Sequence, residues 1–66
     1  MSATRLTDKQ QNFVREYVKD FNSTRAAISA GYSKRSAMQR GQEVRDNPLV
    51  ILEIEKYIRR KDNDVD

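Results

Sequence analysis

The stretch from Ser23 to Arg45, STRAAISAGYSKRSAMQRGQEVR, limits what this chain can fold into more than any other. Ala26 and Ala27 sit about one turn ahead of Gly31, and Ala30 directly precedes it. Small residues let two helix backbones approach closely. Glycine adopts the left-handed conformation that ends many helices without a side-chain penalty. Ser33 suits a cap, because its hydroxyl accepts a hydrogen bond from a free backbone N–H of the next helix. The spacing predicts two short helices joined by a tight turn at Gly31-Tyr32-Ser33. Such a helix-turn-helix commonly presents its second helix to the major groove of double-stranded DNA.

The first of these helices is expected over about Ser23 to Ala30, with Asn22 or Ser23 as its cap. Ala26, Ala27 and Ala30 turn inward, Ile28 lies on a flank, and Arg25 and Ser29 are expected to be exposed. The second runs from about Lys34 to Arg45. Ala37, Gly41 and Val44 recur at spacings of four and three, so they share one face, which must be the buried one. Gly41 in mid-helix costs about 1 kcal/mol against alanine, a cost that close approach to another helix would explain. The opposite face carries Arg35, Gln39 and Gln42, with Ser36 and Glu43 on one shoulder and Met38 and Arg45 on the other.

Arginine and glutamine match the hydrogen-bonding edges of guanine and adenine in the major groove. Ser33 and Lys34, at the helix start, are better placed for phosphates. The candidate DNA contacts are therefore Ser33, Lys34, Arg35, Ser36, Gln39, Arg40 and Gln42, with Arg25 on the preceding helix. The charge pattern agrees with this. Of the formal +3, the segment 21–47 holds five cations against two anions, while 1–20 is nearly balanced and 48–66 is slightly acidic. A phosphate backbone would need the positive excess in that segment.

Either side of this unit, the pattern is helical. Thr7 and Gln10 match a capping box, and Asp8 complements the helix dipole. Phe13, Val14, Tyr17, Val18 and Phe21 then fall on one face, read here as core rather than as a base-stacking surface. Asp46-Asn47-Pro48 marks the start of a last helix to about Arg60, with Asn47 as cap and Pro48 at the first helical position. Leu49, Val50, Ile51, Leu52, Ile54, Tyr57 and Ile58 wrap most of the way round it. Two uses of that excess remain open: a small core that absorbs all of it, or a second contact such as a neighbouring subunit. Residues 1–5 and 61–66 read as disordered tails.

A chain of 66 residues allows one small domain, and the helical period throughout makes it all-α, a small four-helix domain containing a helix-turn-helix over 6–60. It has no cysteine and no histidine, so it lacks the commonest general base and the commonest soft metal ligands. Its two glycines do not form a phosphate-binding loop, and Glu53 and Glu55 lie on different helix faces. No catalytic constellation, metal site or cofactor is expected. No apolar run approaches the length of a membrane span, and the start of the chain has no apolar signal core, so a cytoplasmic setting without membrane contact is expected.

Taken together, LTDKQQNFVREYVKDFNSTRAAISAGYSKRSAMQRGQEVRDNPLV, from Leu6 to Val50, resembles the N-terminal domain of the phage terminase small subunit. The shared pattern is LT-x-KQ-x-x-F-V-x-E-Y, then N-(A/S)-T-x-AAI-x-AGYS, a Lys/Arg-rich helix and a final NP. The resemblance implies binding of viral DNA at the start of packaging and transfer to the large subunit, which carries ATPase and nuclease activities. It also implies homo-oligomeric rings and action in the cytoplasm of an infected bacterium. Family members usually run well beyond this length, and only the start of their oligomerisation region, Leu49 to Ile58, is present. An excised domain or a truncated relative is therefore expected. Helix geometry does not separate packaging from a small transcriptional regulator built on the same motif. A third reading makes the apolar last helix the functional element, for oligomerisation or protein interaction with no DNA role.

Overall fold

A computed structural model describes residues 6–64, with side chains up to Arg60. Four helices follow one another: α1 (Asp8–Asp20), α2 (Ser23–Ala30), α3 (Ala37–Arg45) and α4 (Pro48–Asp64). The described residues contain no strand. α2 packs against both α1 and α3, and α4 closes the core mainly against α1.

Each helix begins and ends for a local reason. At α1, Thr7 Oγ1 accepts from the Gln10 N–H at 3.1 Å while Gln10 Oε1 accepts from the Thr7 N–H at 2.9 Å, which completes the expected capping box. Asn22 caps α2, its Oδ1 accepting from the Arg25 N–H at 3.0 Å. α2 ends at Gly31, whose φ of 112° is left-handed. The Gly31 N–H reaches the Ile28 carbonyl at 3.1 Å and the Tyr32 N–H reaches that of Ala27 at 3.0 Å. This 5→2 and 6→1 pair satisfies two carbonyls that the helix end would leave free. At α4, Asn47 Oδ1 accepts from the Leu49 N–H at 2.9 Å, with Pro48 at the first helical position as expected.

Phe13, Val14, Ala26, Ala27, Ala30, Ala37, Val44, Val50 and Ile54 form the buried core, and Leu6, Tyr17, Val18, Tyr32 and Tyr57 pack around it. The inward alanines of α2 and the Ala37–Gly41–Val44 face of α3 are buried as their spacing predicts. With four alanines and one glycine on those two faces, the helices approach closely. A Cβ on Gly41 would stand 2.5 Å from the Ser23 carbonyl oxygen and 2.9 Å from its carbonyl carbon. That space is why glycine occupies mid-helix.

Four expectations need correction. Phe21 is not core: it is 56% exposed, because α1 stops at Asp20 and Phe21 turns to a left-handed φ of 57°. Its ring meets Tyr17 edge-on instead, with centroids 5.3 Å apart. The helix expected from Lys34 starts at Ala37, since residues 34–36 form a tight turn closed by the Ser36 N–H on the Ser33 carbonyl at 3.2 Å. α4 runs to Asp64 rather than ending near Arg60. Arg25 is half-buried rather than free, for the reason given below. The expectations for 1–5 and 65–66 lie outside the described residues.

Among the α4 apolar residues, Val50 and Ile54 are buried, whereas Ile51, Leu52 and Ile58 are exposed. The core of this domain does not absorb the whole excess.

Candidate nucleic-acid interface

Ser33, Lys34, Arg35 and Ser36 come first on the surface that α3 and its leading turn present. Ser33 Oγ accepts from the Ser36 N–H at 3.3 Å and lies 2.8 Å from Ser36 Oγ. Ser33 therefore caps the turn rather than the α-helix itself, and Ser36 occupies the helix cap position without a side-chain cap bond. Lys34 and Arg35 are exposed on this turn. Neither has an acidic partner within 4.0 Å among the described residues. One helical turn on, Gln39, Arg40 and Gln42 are exposed as well. Of the seven candidates that lie between Ser33 and Gln42, six are thus exposed and Ser36 is half-buried.

Glu43 lies among them and engages two. Its Oε1 accepts from Arg40 Nη1 at 3.0 Å and its Oε2 from Gln39 Nε2 at 3.4 Å. Arg45 meets Asp46 at 3.6 Å near the helix end.

Arg25 stands apart from this surface in its bonding. Its Nε donates to Asp20 Oδ2 at 2.7 Å and its Nη1 to Glu16 Oε1 at 3.0 Å. Its Nη2 donates to the Glu16 carbonyl at 2.6 Å and to Asp20 Oδ1 at 3.2 Å. All three guanidinium nitrogens are spent on the last turns of α1, so the side chain clasps α1 to α2. The clasp sets the protonation of its partners. Hydrogen bonds from Arg25 hold the Asp20 carboxyl below its ordinary value and, with help from Lys19, that of Glu16 too. The two carboxylates in turn raise the guanidinium.

Sequence reasoning missed one cation. Lys9, near the start of α1, places its ammonium 4.8 Å from the centre of the Tyr32 ring, against the Gly31 turn. A cation over an aromatic face is attracted by the ring quadrupole. The charge of the turn is therefore raised by a residue far away in the chain. No local pattern signals this, because only the packing of α1 on α2 brings the two together.

Chemically, the surface offers exposed cations, amide and hydroxyl groups, and no pairing of an acid with a base or nucleophile. The described residues contain no group of three potential metal ligands, and none of their helices is long and apolar enough to cross a membrane.

An all-α domain, with four helices among the described residues and a basic turn leading into an exposed polar face of the third, is the class that fold and surface define. The chain belongs to the terminase small subunit family, whose pattern matches residues 6–66. The terminase small subunit of Bacillus phage SF6 is 40% identical over 60 residues, which cover 89% of this chain and 41% of that protein. That of Bacillus phage SPP1 is 42% identical over 57 residues, covering 85% of this chain and 39% of the relative. The PBSX phage terminase small subunit of Bacillus subtilis is 38% identical over 60 residues, covering 91% of this chain and 23% of its own length. The chain thus spans between 23% and 41% of the length of these relatives. No solved structure matches it.

Proposed function

We propose that this domain is the DNA-binding module of a phage terminase small subunit and acts without catalysis. In this reading α2, the Gly31 turn and α3 act as a helix-turn-helix. Lys34, Ser33 and Ser36 contact phosphates, and Arg35, Gln39, Arg40 and Gln42 face the groove. Arg25 serves the α1–α2 clasp instead. The whole protein would recognise viral DNA at the packaging start, in the cytoplasm of the infected bacterium, and recruit the large ATPase and nuclease subunit through regions beyond this chain. The observation that carries the reading is the run of exposed, acid-free cations at Lys34 and Arg35 leading into an exposed glutamine face. The exposed Ile51, Leu52 and Ile58 favour a second, compatible role for α4 as a contact between copies in the full-length oligomer.

The test is NMR shift perturbation with a duplex DNA at two salt concentrations, since non-specific affinities of about 10⁻⁴ to 10⁻⁶ M are within its range. Shifts concentrated on Ser33 to Gln42 that fade at the higher salt are the expected result. Absence of shifts at low salt, or shifts confined to Ile51–Ile58, would overturn it.

A further inference from the structure

We infer that Glu43 is a specificity-determining residue of the α3 surface, one that weakens binding to DNA of arbitrary sequence. The inference rests on the proposed DNA-binding reading and deepens it. Glu43 is the sole carboxylate of α3, and its two oxygens engage different neighbours, Arg40 at 3.0 Å and Gln39 at 3.4 Å. One acidic side chain therefore holds two of the groups that would meet DNA.

This arrangement has a cost on the wrong sequence. For Arg40 to turn its Nη1 to a phosphate or a guanine edge in bidentate fashion, the Nη1 bond to Glu43 at 3.0 Å has to break. The carboxylate is then left beside a polyanion without its cationic partner and with only the longer Gln39 bond, which is unfavourable by charge and by loss of a hydrogen bond. A site that offers an amino group in the major groove reverses the balance, because a carboxylate accepts a hydrogen bond from cytosine N4. Glu43 also orients Gln39. With one amide hydrogen directed at Glu43, Gln39 keeps its carbonyl oxygen and its second N–H for an adenine edge, which presents one donor and one acceptor. Guanine presents two acceptors and is matched less well. The surface is thus tuned toward base pairs that display amino groups, and against indiscriminate phosphate binding.

Glu43→Gln tests this in the 66-residue chain, with binding followed by fluorescence anisotropy against duplexes of scrambled sequence over a salt series. Melting temperature checks that the exposed substitution leaves the fold intact. The variant is expected to bind scrambled duplex about two- to five-fold more tightly, the range that release of an exposed ion pair allows. Its log–log salt slope should steepen by about 0.9, the share of one added phosphate contact. In an Arg40→Gln background the slope change should vanish, which a merely structural role of Glu43 would not produce. If the parent binds with a salt-dependent affinity and Glu43→Gln changes neither affinity nor slope, the inference fails and the DNA reading stands. If neither protein shows salt-dependent binding, both fail.

Discussion

Gly41→Ala separates local preference from tertiary packing within one methyl group. On helix propensity alone, alanine in the middle of α3 should stabilise the domain by about 1 kcal/mol. The structure reverses that sign. The added Cβ would lie 2.5 Å from the Ser23 carbonyl oxygen, 2.9 Å from its carbon and 3.3 Å from its Cβ. Two of these three are backbone atoms at the first residue of α2, so no side-chain rotation relieves the overlap. α2 and α3 must separate, which also loosens the contacts of Ala27, Ala37 and Val44. Overpacking of this kind costs about 1–3 kcal/mol, and against a rigid backbone the upper part of the range applies. After the propensity gain is subtracted, a net loss of about 1–2 kcal/mol is expected. For a domain of this size each kcal/mol moves the melting temperature by about 4–8 °C, so far-UV circular dichroism should record a fall of roughly 5–15 °C. Gln42→Ala, exposed on the same helix, is the control and should change little. A Gly41→Ala melting temperature equal to or above that of the parent would refute the close crossing of α2 on α3.

Three further outcomes follow from the same geometry. Ala27→Leu, at a fully buried site facing that crossing, should destabilise the fold by about 1–3 kcal/mol in a urea titration. Arg35→Ala and Gln39→Ala should weaken DNA binding in anisotropy titrations while leaving the melting temperature within about 2–4 °C, since exposed substitutions stay near ±0.5 kcal/mol. Arg25→Gln should lower the melting temperature at neutral pH and flatten its acid dependence. Asp20 and Glu16 have folded-state values held below their ordinary ones by Arg25, so the clasp stabilises above those ordinary values. It is lost as pH falls through the depressed ones, and the gap between parent and variant should therefore close in strong acid. A gap that stays constant down to pH 2 would count against the clasp.

The order and type of the four helices, the caps of three of them and most of their buried faces were legible in the sequence, because each is a local matter. Thr7, Asn22 and Asn47 satisfy backbone donors within three residues of themselves, and Gly31 supplies a backbone angle that other residues resist. The periodicity of Ala37, Gly41 and Val44 needs no knowledge of what it packs on. The tertiary structure decided what two distant segments do to each other. Phe21 continues the apolar stripe of α1 in sequence, yet the chain must turn there to lay α2 across α1, and the ring is left outside. Arg25 looks like a free cation until Glu16 and Asp20, on the preceding helix, take a donor from each of its three guanidinium nitrogens. Lys9 joins the Gly31 turn only through the same packing. Charge in the sequence is a sum over residues, whereas charge at a surface depends on which partners the fold supplies within hydrogen-bonding reach.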